Sequence, residues 1–229
     1  MPAAFAPFSA THAVVLLVIA AGTTGLVAAR RRRPGAAGRR LDRALGGLNL
    51  LAWLLASAWV LMPARLDWSR SLPLQVCDLS ALAAAVAMTL EHRAARALLY
   101  YAGIGLSGWA LWTPDLRDGP GTAEFWLFFV GHGATLSAAV YDIAARGYRP
   151  GWRDCRLAVA GMLVWLAVVF PLNAAFGWNY GYTGNALAGT TNPIHFLGPW
   201  PWRVLWLALG VIGLFVVMTL PFRLTRDRG

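Results

Sequence analysis

The sequence predicts an all-α membrane protein: one domain, a seven-transmembrane-helix bundle with its N-terminus outside and its C-terminus in the cytoplasm. Three observations lead there. Hydrophobic residues make up 58% of the 229. Apolar runs near the roughly 20 residues needed to cross hydrocarbon recur along the whole chain. Basic residues alternate sharply between successive gaps in those runs. Lipid offers no partner for open backbone N–H and C=O groups, and the runs lack the period-2 alternation of barrel strands, so helices are the spanning form.

The first span lies near 11–29. Nothing positive precedes Thr11 and an arginine run follows it, the reverse of a secretory signal's polarity, so it reads as a retained anchor. The Gly/Arg-rich stretch from Arg30 to Arg43 reads as a loop and is the longest polar one; no soluble domain is predicted. Spans follow near 44–62, 73–90, 97–113, 124–145, 157–176 and 202–220. The segment 177–201, GWNYGYTGNALAGTTNPIHFLGPWP, is too rich in Gly, Asn, Thr and Pro to span. Its aromatic residues, Trp178, Tyr180, Tyr182 and Trp200, suit the headgroup region, so it is expected to form an extracytoplasmic cap over the bundle mouth.

Orientation rests on arginine alone, because the chain has no lysine. Sixteen of its 20 basic residues fall after the first, third, fifth and seventh spans, and only Arg65, Arg70, Arg117 and Arg203 fall in the other gaps. The positive-inside bias puts the crowded side in the cytoplasm, as a multi-pass protein of the cell inner (plasma) membrane. A net charge of +10 raises nucleic acid as a partner, but these arginines form juxtamembrane clusters with no basic domain around them. Anionic lipid headgroups are the expected contact, and no nucleic acid. Cys77 and Cys155 fall near opposite faces, which argues against a disulfide. The absence of lysine also excludes a retinal Schiff base, the first thought for seven helices.

Cys77, Asp78, His132, Asn179 and His195 are the reactive or strongly polar side chains expected near the outer face, on separate segments. At about 1.5 Å per residue, Cys77 lies roughly 6 Å into its span and His132 roughly 12 Å. A lone membrane cysteine is ordinarily an inert small hydrophobe. An ionisable histidine at such depth is costly unless paired or facing water. A histidine within reach of a thiol takes its proton, and the thiolate then attacks a lipid ester carbonyl to form a thioester. Asn179 and His195 are candidate oxyanion donors, and Asp78 is a candidate to orient the imidazole. Against this stand a neutral His132 bonded to a carbonyl and a solvated His195, while Asp78 is expected to pair with His132, Arg70 or a helix N-terminus. His92, beside Glu91 and Arg93, reads as an interfacial residue.

The strings LPLQVCDLSAL at Leu72 to Leu82, FGWNYGY from Phe176 and IHFLGPWPW up to Trp202, with a histidine in the middle of the fifth span, resemble the YwaF-like bacterial integral membrane family, related to eukaryotic transmembrane protein 164. The likeness covers most of the chain, and FLGPWPW is its most specific part. It implies a cysteine-dependent acyltransferase that remodels phospholipids by moving an acyl group onto a lysophospholipid, with Cys77 as nucleophile and His132 as its partner. Gln75 and Gly131 depart from the histidines expected at those positions. Two other readings stay open. One is a non-enzymatic lipid-binding, transport or scaffold bundle. The other is a zinc-dependent intramembrane hydrolase with Cys77, Asp78, His132 and His195 as ligands, although no His-x-x-x-His pair supports a preformed site. The leading reading requires no cofactor and no metal, and takes membrane phospholipid or lysophospholipid as substrate.

Overall fold

The computed structural model describes residues 5–116, 118–185 and 196–224, and every element among them is helical. Five helices are long and apolar enough to cross a membrane, with mean hydropathy between 1.3 and 2.4 over their most apolar stretches. They are α1 (Ala10–Arg31), α2 (Gly35–Val60), α6 (Ala123–Ala144), α7 (Trp152–Phe176) and α8 (Trp202–Leu224). Between them lie α3 (Val76–Leu90), α4 (Arg93–Leu98) and α5 (Gly108–Trp112). A π-helical stretch, Leu99–Ser107, joins α4 to α5 with right-handed helical dihedrals at both junctions, so the three form one unbroken rod.

The rod, α3 and α6 form the middle of the bundle; α1 and α2 pack on one side, α7 and α8 on the other. The central helices can approach closely because their facing residues are small. Ala83, Ala84, Ala87, Ala138 and Ala139 are buried together with Met88, Leu99 and Tyr141. A methyl group on Gly46 of α2 would stand 2.8 Å from Thr89 and 3.0 Å from Met88, so α2 and α3 meet through a missing side chain. Likewise a methyl on Gly105 would stand 2.8 Å from the Met218 sulfur, where the rod meets α8. Tyr100 and Tyr101 tie the same contact, donating to the Met218 carbonyl (2.9 Å) and bonding Thr219 (2.6 Å).

The polar stretch after the first span is not the loop expected from its composition. The turn is confined to the residues around Pro34, and Gly35 already starts α2. The reason is Asp42. It is buried, and it accepts from Arg30 Nε at 2.9 Å and from the Tyr141 hydroxyl at 2.5 Å, so the arginine-rich sequence gains a partner once it is helical. Similarly α7 begins at Trp152, ahead of its apolar run, because Asp154 accepts from the Gly151 backbone N–H (3.0 Å) and from both arms of Arg93 (2.8 and 2.9 Å).

One end of the bundle is therefore an ionic layer. Asp142 takes two bonds from Arg96 (2.8 and 2.9 Å) and one ion pair from Arg146 (3.1 Å). Arg146 also reaches Asp42 (3.7 Å) and Glu91 (3.1 Å). At the opposite end the described residues after α7 turn back as a short 3₁₀ helix, Tyr180–Tyr182.

Candidate functional site

The described part of 177–201, residues 177–185 and 196–201, is not a spanning helix, and its first residues, the cap, fold back over the end of α7. Gly177 ends α7 in the left-handed region (φ 68°), and the chain turns back over the mouth as a short 3₁₀ turn, Tyr180–Tyr182. Asn173 of α7 holds it. Its amide donates to the Tyr180 carbonyl and to Thr183 Oγ1, both at 2.9 Å, and its oxygen accepts from Tyr180 N–H at 3.0 Å. The fully buried Tyr180 then crosses to the loop before α3, donating from its hydroxyl to the Trp68 carbonyl (2.7 Å) and accepting from Leu72 N–H (2.9 Å). From the other side Trp165 Nε1 donates to the Leu74 carbonyl at 2.9 Å.

These bonds fix the start of α3, where Cys77 sits. Gln75 is the N-cap, its side-chain oxygen accepting from Gly181 N–H of the cap at 3.0 Å. Cys77 is the second helical residue, a half-buried free thiol in the first turn.

Asp78 is occupied. One oxygen accepts from Gln75 N–H (2.9 Å), closing the helix start, and the other accepts from Trp53 Nε1 of α2 (3.1 Å). The helix N-terminus is one of the partners expected for it. The orientation of His132 comes from its own helix instead. Its Nδ1 lies 2.9 Å from the Phe128 carbonyl and its ring packs on Phe128 at 4.3 Å between centroids. A carbonyl only accepts, so Nδ1 carries the proton and Nε2 of the neutral ring keeps a free lone pair. Nε2 has no partner among the described residues.

Relative depth can be measured along α2, which touches both partner helices. Against α6, Asp42 meets Tyr141 and Asn49 meets Ala134 and Thr135. Against α3, Gly46 meets Met88 and Thr89, and Trp53 meets Asp78. One turn along α2 from Asn49 to Trp53 therefore corresponds on α6 to a point close to His132. Cys77 and His132 thus share a level to within about one helical turn, roughly 5 Å. The depths counted from each span's own end differ more, because the two helices start at different heights. No hydrogen bond among the described residues joins the two side chains.

Asn179 stands in the cap, half-buried, with its oxygen accepting from Gly184 N–H at 3.0 Å. His195 lies outside the described residues. Tyr182, the last residue of the FGWNYGY string and read from the sequence only as a headgroup-region aromatic, also belongs to this end. Burial pushes its phenol above the ordinary value, and the negative charges of Asp115 and of an ionised Cys77 push in the same direction. Its backbone is also left-handed (φ 60°), an uncommon state for a tyrosine, held by the cap bonds on either side. Among the described residues no three His, Cys, Asp or Glu side chains are grouped to hold a metal ion.

Apolar helices packed through small residues, ionic groups gathered at one end and a cysteine at a fixed helix start beneath a cap define a multi-pass type of membrane protein. The chain belongs to the TMEM164 family, whose model matches residues 7–219. No curated protein and no solved structure matches it.

Proposed function

We propose that this protein is a seven-span membrane enzyme that transfers or hydrolyses phospholipid acyl groups through Cys77 and His132. Two spans join the five long ones in this reading. The α4–α5 rod supplies one, since its three helical segments run on without a break, and the 15-residue apolar α3 supplies the other. The positive-inside bias of the sixteen arginines that follow the odd-numbered spans in sequence supports a cytoplasmic C-terminus, with the N-terminus and the cap outside, in the inner membrane of a bacterium.

The observation that carries the chemistry is the fixed tautomer of His132 at the level of Cys77. A thiol beside a carboxylate becomes a nucleophile when a base removes its proton, and Nε2 is the free base. In the first half-reaction Nε2 takes the Cys77 proton and the sulfur bonds to the ester carbonyl carbon. The carbon–oxygen bond then breaks, and the departing lysolipid oxygen takes the proton from His132. In the second half-reaction a lipid hydroxyl or water gives its proton to Nε2 and attacks the thioester. The Cys77 sulfur leaves and recovers that proton. Asn179, its oxygen held by Gly184, presents its amide N–H groups as candidate donors to the oxyanion. Asp78 acts here by positioning the helix start that carries the thiol.

The test is an acyl-thioester trapping probe on purified protein. Cys77→Ala and His132→Ala are each expected to abolish labelling while leaving the thermal melt unchanged. Equal labelling of Cys77→Ala would reject the mechanism and leave the lipid-binding or scaffold reading.

A further inference from the structure

At the arginine-rich end, opposite the thiol, an open cavity of about 360 Å³ lies between the start of the α4–α5 rod, the end of α6 and the start of α7. Four guanidiniums line it, those of Arg93, Arg96, Arg146 and Arg149, against two carboxylates, Glu91 and Asp154. Asp154 is already spent on Arg93 and on the cap of α7. Asp142, behind the wall, is spent on Arg96 and Arg146. The positive charge in the cavity is thus not fully met by the chain itself.

Two arginines show this at the level of atoms. Arg146 has 4% of its side chain exposed, yet its Nη2 is sealed from solvent with no hydrogen-bond acceptor; Glu91 Oε1 is 3.1 Å away but not aligned to receive it. A buried guanidinium donor left unmet is destabilising, so a missing acceptor is the economical explanation. Arg149 bonds only through Nη1, to the Ile143 and Tyr148 carbonyls at 3.0 Å, and its Nε and Nη2 edge is unengaged among the described residues. The ring of Tyr148 lies under Arg96, 4.5 Å from its centroid, and keeps that plane fixed.

From this cavity we infer a binding site for a phosphate-bearing anion, held by Arg146 and Arg149 with Arg93 and Arg96 at its walls. Guanidinium forks match the paired oxygens of phosphate, and three anionic oxygens would meet the spare donors. The volume is at the small end of ligand pockets, enough for a phosphate with a short polar substituent. The cavity opens at the arginine-rich end of the long apolar helices, the level at which headgroups are expected in a membrane-spanning bundle, so the phosphate belongs either to a phosphomonoester headgroup or to a soluble phosphate compound. The site stands apart from the thiol chemistry and does not depend on it.

The experiment uses the purified full chain in phosphatidylcholine nanodiscs, with thermal stability as readout. Inorganic phosphate, titrated against chloride of equal ionic strength, is expected to raise the melting temperature saturably. Arg149→Ala, which strands no carboxylate, should weaken half-saturation about tenfold, and Arg149→Lys should fall between because it keeps the charge but loses the fork. Cys77→Ala should respond as the natural sequence does. If nanodiscs containing phosphatidic acid are stabilised and no longer respond to phosphate, the occupant is a headgroup. If they behave as phosphatidylcholine does while phosphate binds, it is a soluble compound. No saturable response to either probe, or an undiminished response in Arg149→Ala, overturns the site.

Discussion

Asp142→Ala should be among the most damaging single changes in this chain, although the residue touches no part of the proposed reaction site. Asp142 is 1% exposed and receives Arg96 Nε and Nη2 together with Arg146 Nη1. Without it, Arg146 keeps the Ala87 carbonyl (3.1 Å), Glu91 and a long contact to Asp42. Arg96 keeps only its place over Tyr148. Removing one member of a buried pair costs about 3–5 kcal/mol, because the partner is left charged and unmatched. Arg96 is 19% exposed, so water relieves part of that cost and the lower figure, about 3 kcal/mol, is expected. The internal control is Glu124→Gln, which removes the partner of Arg65 at the other end. Those side chains are 30% and 42% exposed, and such pairs contribute about 0–1 kcal/mol. Reversible unfolding in mixed micelles, titrated with dodecyl sulfate, gives both values on one scale. Replacing Arg96 and Asp142 together by Leu should recover more than half the loss, since it leaves no stranded charge. If Asp142→Ala proves as mild as Glu124→Gln, the ionic layer does not hold this end of the bundle.

Two further changes probe the cap and its neighbouring loop. Gly181→Ala puts a methyl 2.1 Å from the Trp165 ring at a φ of 58°, so overpacking of about 1–3 kcal/mol adds to a left-handed penalty of about 1–2 kcal/mol. The thermal melt should fall accordingly, with partial rescue by Trp165→Leu, and an unchanged melt would mean that the cap does not rest on Trp165. Asp67 lies in the loop before α3, where bonds from Ser69 and Arg70 hold its carboxyl below the ordinary value of 3.8. Its contribution is complete above that value and disappears as pH falls through the depressed one, so protection of the Ser69 amide relative to its intrinsic exchange rate should be lost only in strong acid; loss of that protection already near neutrality would contradict the assignment.

The apolar runs made the long helices legible, and the Gly and Asn content after Phe176 marked where α7 ends. The helix starts were harder to read. Hydropathy places the second span at 44 and the sixth at 157, whereas α2 and α7 begin at Gly35 and Trp152. The missing information was pairwise: Asp42 and Asp154 look like loop residues until Arg30 and Arg93 are found beside them. The same limit applies at the site. Sequence singles out Cys77 and His132 by their rarity in apolar surroundings, but the Phe128 carbonyl that selects the histidine tautomer is a backbone atom with no signature. Tyr182 reads in the sequence as one boundary aromatic among several, and its left-handed backbone is what sets it apart.

The two polar ends are built on the same helices, and this limits how the site can move. α2 carries Asp42 at the ionic end and Trp53 at the capped end, so the helix that anchors Asp78 is itself clamped about three turns away. α6 repeats the arrangement with Asp142 and His132. Between the clamps many of the contacts are alanine and glycine, which give close backbone approach but little interlocking shape. One polar crossing lies among them, where Asn49 of α2 donates to the Ala134 carbonyl and accepts from the Thr135 hydroxyl of α6. The charge pairs at one end, the cap bonds at the other and this crossing together fix α2, α3 and α6 in register. The level shared by Cys77 and His132 is therefore a property of the whole bundle, and loosening the arginine-rich end should disturb it even though no atom there comes near the thiol.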